Sequence, residues 1–207
     1  MAILTISRQF GAGGKTLAQL VSKSLDYQLA DEEIIEKLAE SAQTSPDGIR
    51  RFEAEDEAHQ QQAREGAAPK HFIERIFDTK RKYMDGQRYV ELLREIIPQI
   101  ARRGNLVILG RGAQFILKDF GGDYHVLLVA DEADRIRFIQ EHYGLDAHEA
   151  RQAVINKGKR RQKLMKLFTR EDFDQPLHYD LVLNMSKTRM ETAVALVCAL
   201  ASSLEAR

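Results

Sequence analysis

The chain has 207 residues, 43% hydrophobic and 30% charged. This is a globular composition with enough length for one sizeable domain, and it excludes a mostly disordered protein. Lys+Arg and Asp+Glu number 31 each, and this balance argues against a dedicated nucleic-acid coat or membrane-surface protein. The single cysteine, Cys198, excludes an internal disulfide and a CxxC zinc site, and no apolar run approaches the roughly 18 residues of a spanning helix.

The N-terminal string MAILTISRQFGAGG shows no basic region followed by an apolar one, so a cytoplasmic protein is expected. Residues Ile3 to Ser7 are apolar and β-branched and read as a buried first strand. Gly11, Gly13 and Gly14 follow, and then Leu17, Ala18, Leu20, Val21 and Leu25 recur at helical spacing from Lys15 to Leu25. Tyr27 to Ala30 reads as a short second strand ended by Asp31, and residues 32–42 return to a helical period.

From Gln43 to Lys70 the chain is polar and reads as a helical insertion. Phe72, Ile73, Ile76 and Phe77 form an apolar helical stripe. A further helix carries Val90, Leu93, Ile97 and Ile100, with Pro98 as a potential kink and Gly104 as its stop. Leu106 to Leu109 is a third strand, running into Gly110-Arg111-Gly112, and His125 to Ala130 a fourth. A basic helical region extends to about Phe168, with eight Lys or Arg and no acid between Arg151 and Arg170. Leu181 to Asn184 is a fifth strand, and Thr188 to Leu204 is a closing amphipathic helix. His125, Cys198 and the methionines read as structural. Nearly continuous apolar strands separated by helices indicate an α/β fold with a parallel sheet covered on both faces.

A glycine-rich turn between a buried strand and a helix cradles phosphate, because backbone N–H groups and the helix N-terminus converge on it. The P-loop pattern is GxxxxGK[ST]. Gln9 to Thr16 reads QFGAGGKT, which fits the last three positions and replaces the first glycine by Gln9. A tight turn without a ligand and a dinucleotide site, with Asp31 as the ribose acid, stand as alternatives.

The strings ITISRQFGAGGKTLA, VILGRGAQFIL and DLVLNMS resemble the cytidylate kinase-like family of P-loop proteins. The resemblance implies a single three-layer P-loop domain over 1–207, with a five-stranded parallel sheet of order 2-3-1-4-5. It also implies a helical acceptor-side insertion over 43–103 and a basic lid over 135–170. By this resemblance Gly11, Ala12, Gly13, Gly14, Lys15 and Thr16 bind ATP, and Thr16 and Asp131 hold Mg²⁺. Counted from Ser7 as the strand end, Lys15 lies one residue beyond the place of the family's P-loop lysine. Asp31 and Arg111 match the acceptor-binding acid and arginine. Helix capping is an alternative role for both Asp31 and Asp131, and a surface salt bridge for Arg111. Arg135, Lys159, Arg160 and Arg161 fall in the lid, where a solvated basic helix is the plain alternative. Lys15, Arg111 and Arg160 are the expected catalytic cations, since phosphoryl transfer needs alignment and charge neutralisation above all.

The expected function is ATP- and Mg²⁺-dependent phosphoryl transfer to a small acceptor, a nucleoside monophosphate such as CMP. A nucleotide-binding regulator of the same fold with little turnover is the alternative. The expected partners are small-molecule nucleotides, with no membrane; nucleic-acid binding through 151–170 ranks below them, and monomer and homodimer stay open.

Overall fold

The computed structural model describes residues 2–55 and 84–205. The stripe of Phe72, Ile73, Ile76 and Phe77 lies outside them, as does much of the 43–70 insertion.

Strand β1 runs Ile3–Arg8, one residue further than the sequence reading. It is the central strand of a five-stranded parallel sheet of order β2-β3-β1-β4-β5, with β2 at Gln28–Leu29, β3 at Leu106–Leu109, β4 at Asp123–Val129 and β5 at Leu181–Asn184. β1 pairs with β3 from Ile3↔Leu106 to Ile6↔Leu109, and with β4 from Ile3↔Asp123 to Arg8↔Leu128. Flanked on both edges and covered on both faces, β1 can carry apolar residues without alternation, which is why ILTIS reads as a continuous run.

The chain divides into two compact units, 1–31 with 97–207, and 32–96. In the first, helix α1 (Gly14–Leu25) buries Leu17, Ala18 and Val21 in a cluster with Leu4, Ile6, Val107, Leu109, Val126 and Leu128 of the sheet. Ala193, Val197 and Ala201 of helix α8 (Met190–Glu205) join the same cluster, with Cys198 partly buried at its margin. Buried polar groups inside the sheet are paired. Thr5 Oγ1 lies 2.8 Å from Nδ1 of His125, whose backbone N–H donates to Asp180 at 2.7 Å.

The second unit holds helix α2 (Asp31–Ser41) from Glu32 onward, helix α3 (Pro46–Glu55) and helix α4 (Gly86–Ala101) up to Ile96. Among its described residues Ile34, Leu38, Ile49, Tyr89, Leu92 and Leu93 are large side chains that are fully buried. Phe52 and Tyr89 pack with ring centroids 5.3 Å apart, and the Tyr89 hydroxyl donates to Glu53 at 2.5 Å. Pro98 falls inside α4 without ending it, and Gly104 follows in the left-handed region with φ +67°.

The segment read as one basic helical region is two helices. Helix α6 (Glu132–Tyr143) closes on Gly144 at φ +66°, a left-handed stop that favours glycine. Helix α7 (Ala147–Met165) opens on a capping box, with Glu149 N–H donating to Asp146 at 2.8 Å and Asp146 N–H to Glu149 at 3.1 Å. Ile136, Ile139, Ala150 and Val154 form a separate small core between them, against which Phe10 packs. A four-residue helix α5 (Ala113–Ile116) and a 3₁₀ turn at Pro176–His178 complete the described elements.

Candidate phosphate site at the carboxyl edge of the sheet

The loop from Gln9 to Gly13 joins the C-terminal end of β1 to α1. Gln9 extends the strand: its N–H donates to Leu128 O at 3.0 Å, and its side-chain oxygen accepts from Ala130 N–H at 3.2 Å. It does not adopt a positive φ, so the backbone at this position makes no demand for the glycine of the P-loop pattern. Gly11 has φ +89°, and a Cβ there would lie 2.7 Å from the carbonyl oxygen of Arg135. Glycine is therefore required at 11 both by conformation and by the close approach of α6. Ala12 is buried.

Gly13, at φ +76°, is the N-cap of α1 and supplies no side-chain acceptor. Gly14, Lys15 and Thr16 occupy the first three helical positions, whose N–H groups have no partner within the helix. An uncapped helix N-terminus preceded by left-handed glycines is a cradle suited to a phosphate. Lys15 is exposed and Thr16 half-buried beside this cradle. β1 extends to Arg8 rather than Ser7, so Lys15 stands seven residues beyond the end of the strand.

Across β1 on the β3 side, Gly110, Arg111 and Gly112 take φ +73°, +55° and +67°. Three consecutive left-handed residues turn the chain sharply off the strand, and only the middle one carries a side chain. The Arg111 side chain is 9% exposed and its guanidinium donates to the Asp31 carboxylate. Arg111 and Asp31, each read from the sequence as an acceptor-binding residue, form a direct ion pair, the alternative role named for Arg111. A Cβ on Gly112 would meet the Phe168 ring at 2.5 Å, and Phe168 stacks on Phe115 at 6.2 Å, so the turn is packed beneath the segment following α7.

The basic residues of 135–170 separate into distinct roles. Arg135 is held by backbone carbonyls, its Nε donating to Ala130 O at 3.1 Å and Nη1 to Phe10 O at 3.5 Å. Arg161 forms a fork on Asp174 at 2.9 and 2.5 Å, donates to Ser7 Oγ at 3.0 Å and lies 4.8 Å from the Phe173 ring centroid. Lys159 is exposed. Arg160 is half-buried, and its Nη2 is buried without an acceptor among the described residues. Asp131 is exposed at the N-cap of α6, where its side chain makes no capping bond and its N–H donates to Ser186 Oγ at 2.8 Å.

Sequence reasoning passed over Ser7, Arg8, Phe173, Asp174 and Tyr179. The Tyr179 hydroxyl donates to Phe173 O at 2.7 Å and accepts from Gln114 at 3.2 Å. Burial pushes its pKa above the ordinary 10.0, against the opposing effects of Ser7 and Arg161. Arg8 could have been found by the logic applied to Arg111, since both stand at the carboxyl end of a buried strand.

The model of the cytidylate kinase-like family matches residues 3–187. The chain belongs to the cytidylate kinase-like family. This family member is similar in structure to an uncharacterized protein from Eubacterium ventriosum (TM-score 0.69, 18% identity, 98% of each chain covered). It is also similar to the shikimate kinase of Bacteroides thetaiotaomicron (TM-score 0.53, 16% identity, 97% of this chain and 98% of that one). A gluconokinase from Sinorhizobium meliloti gives TM-score 0.52 at 14% identity, over 99% of this chain and 95% of that one. At these identities the likeness is one of fold, and the 2-3-1-4-5 sheet with helices on both faces is the P-loop kinase arrangement. Comparison with curated proteins gives no match. As a member of this family the chain is a P-loop protein of kinase-like type.

Among the described residues no group of three or more His, Cys, Asp or Glu is arranged to hold a metal ion. No helix of the described residues is long and apolar enough to cross a membrane.

Proposed function

We propose that this chain transfers the terminal phosphoryl group of ATP to a small acceptor, a nucleoside monophosphate such as CMP. The observation that carries the reading is the pairing of two features on adjacent strands. One is the uncapped N-terminus of α1 with Lys15 and Thr16; the other is Arg111, held by Asp31 after β3. In this reading 43–103 is the acceptor-side insertion and 135–170 the lid.

Lys15 neutralises the outer phosphates of the donor, and the loop N–H groups hold the inner ones. Thr16, through its hydroxyl, and Asp131, through water, would hold Mg²⁺, which would supply charge neutralisation to the donor phosphates. Arg111 binds the acceptor phosphate with its planar fork, and Asp31 fixes that fork in place. Arg160 brings an unsatisfied guanidinium nitrogen from the lid, ready for a phosphate oxygen.

The test is ADP formation by purified protein with MgATP and a panel of nucleoside monophosphates. Shikimate and gluconate belong in the panel because similar folds are named for those kinases. Turnover with a nucleoside monophosphate supports the proposal, and turnover only with shikimate or gluconate reassigns the acceptor. ATP binding without turnover on any acceptor favours a nucleotide-binding regulator, a second reading motivated by the engagement of Arg111 with Asp31.

A further inference from the structure

Helix α7 meets the stretch that leads into the glycine loop at two points. Its first half carries Ala150 and Val154, which with Ile136 and Ile139 of α6 form the small core against which Phe10 packs. Near its end it carries Arg161, whose guanidinium donates to Ser7 Oγ at 3.0 Å. Ser7 is 3% exposed, and Phe10 stands three residues beyond it. One helix therefore holds the chain on both sides of the strand-to-loop junction.

The contact at Ser7 is a built one. Both Nη atoms of Arg161 are engaged, at 2.9 and 2.5 Å to Asp174 and at 3.0 Å to Ser7, and the Phe173 ring centroid lies 4.8 Å from Cζ. Asp174 is itself fixed, with its N–H donating to the Asp172 carboxylate at 3.0 Å. The carbonyl of Phe173, one residue earlier, accepts from the Tyr179 hydroxyl at 2.7 Å. The cation that this turn of α7 leaves for a substrate is the neighbouring Arg160, whose Nη2 is buried without an acceptor among the described residues. The two arginines are consecutive in the helix, so the backbone from which Arg160 projects is fixed by whatever fixes Arg161. A charge set in place beforehand stabilises a transition state most, because nothing has to rearrange at the moment of transfer.

We propose that Arg161 is a positioning residue: its clasp on Ser7 and Asp174, with Phe10 at the other half of the helix, holds α7 in one place so that Arg160 stands ready before the substrate arrives. This rests on the reading of Arg160 as a phosphate-binding arginine, and it makes α7 a fixed wall of the site rather than a swinging lid.

The test is a double-mutant cycle on kcat, with MgATP and the best acceptor, for Arg160→Ala, Arg161→Ala and the two together. If Arg161 acts through Arg160, Arg161→Ala lowers kcat about tenfold or more, the scale of a misplaced catalytic group. The KM for MgATP stays within about twofold. The double variant is then no slower than Arg160→Ala alone. Losses that multiply, or a wild-type kcat in Arg161→Ala, overturn the proposal. Should Arg161→Ala fail to fold, Asp174→Asn keeps the shape, weakens the fork and takes its place in the cycle under the same criteria. A second measurement needs no turnover. Spin labels at Lys163→Cys on α7 and Lys23→Cys on α1, both exposed positions, in a Cys198→Ala background report the distance from α7 to the body of the fold. One narrow distance, the same with and without MgADP, is expected, and it should broaden in Arg161→Ala. A shift of several ångströms on adding MgADP overturns the proposal. Absence of wild-type turnover on every acceptor is a different failure: it removes the kinase reading, and the label distance still decides whether α7 is fixed.

Discussion

Arg161 of α7 donates to the Ser7 hydroxyl of β1 at 3.0 Å while its fork holds Asp174. This contact ties the basic helix to the carboxyl end of the central strand across 154 positions of sequence. It divides two adjacent arginines that the sequence presents as equivalent. Arg161 is satisfied on every side by Asp174, Ser7 and the Phe173 ring, whereas Arg160 keeps a buried nitrogen with no acceptor among the described residues.

The two should therefore fail differently. Arg161→Ala leaves Asp174, whose side chain is 23% exposed, without its partner. Discounted for that exposure, the loss should be about 1–3 kcal/mol. Arg160→Ala should leave the urea midpoint near wild type and lower kcat if, as proposed, its acceptor arrives with the substrate. Equal stability losses in both variants would show that Arg160 is anchored as firmly as Arg161.

Lys15 gives a test of the cradle that is free of folding effects. It is exposed on the first turn of α1, so Lys15→Ala should leave the melting temperature unchanged. The rate of phosphoryl transfer should fall about a hundredfold or more, the scale of losing a preorganised donor of positive charge. A wild-type rate would mean that Lys15 faces solvent throughout the cycle and another cation serves.

Tyr179 sets a pH dependence of stability. Burial raises its folded pKa above the unfolded value near 10.0, which favours the neutral phenol in the native state. The associated stability is fully present below the unfolded value and is lost as pH rises through the raised folded value. The urea midpoint should decline above about pH 10, and Tyr179→Phe should show a smaller decline. At neutral pH the same variant should lose about 1 kcal/mol through its missing bond to Phe173 O. An identical alkaline slope in both proteins would assign the decline to other groups.

The sheet was legible because its strands are buried on both faces and therefore read as short unbroken apolar runs. The turn glycines were legible because left-handed φ at Gly11, Gly13, Gly110 and Gly112 leaves few other choices. The break at Gly144 was not separated from the basic helix around it, because a single glycine is tolerated in a helical pattern and marks a stop only once the capping box at Asp146 is recognised. The Ser7–Arg161–Asp174 contact was illegible for a different reason. Its members are far apart in sequence, and nothing local in a serine, an arginine or an aspartate announces a partner. Arg8 lay in plain view beside the glycine loop, but only in three dimensions does its side chain lie against both Gly14 and Gly110.

Arg111 offers the sharpest separation of acceptor binding from catalysis. Its side chain is 9% exposed, its carboxylate partner Asp31 stands at the start of α2, and its backbone is left-handed at φ +55°. A non-glycine residue in that region bears strain, so Arg111→Gly relieves the backbone while it removes the fork. Arg111→Ala keeps the strain and removes the fork as well. If the acceptor phosphate is held by this guanidinium, both variants should raise the acceptor KM by about tenfold to a hundredfold, the worth of a charge-assisted fork. ATP affinity should stay near wild type in both, because the donor cradle lies on α1. Arg111→Lys should recover only part of the loss, since an ammonium is a point charge without the planar pair of donors. Stability should separate the first two variants, with Arg111→Gly the more stable wherever backbone strain outweighs the added freedom of the unfolded chain. Steady-state kinetics against the best acceptor, with calorimetric binding of MgATP alongside, decide the matter. A wild-type acceptor KM in all three variants would leave the Asp31–Arg111 pair as a structural brace of the β3 turn and move the acceptor site elsewhere.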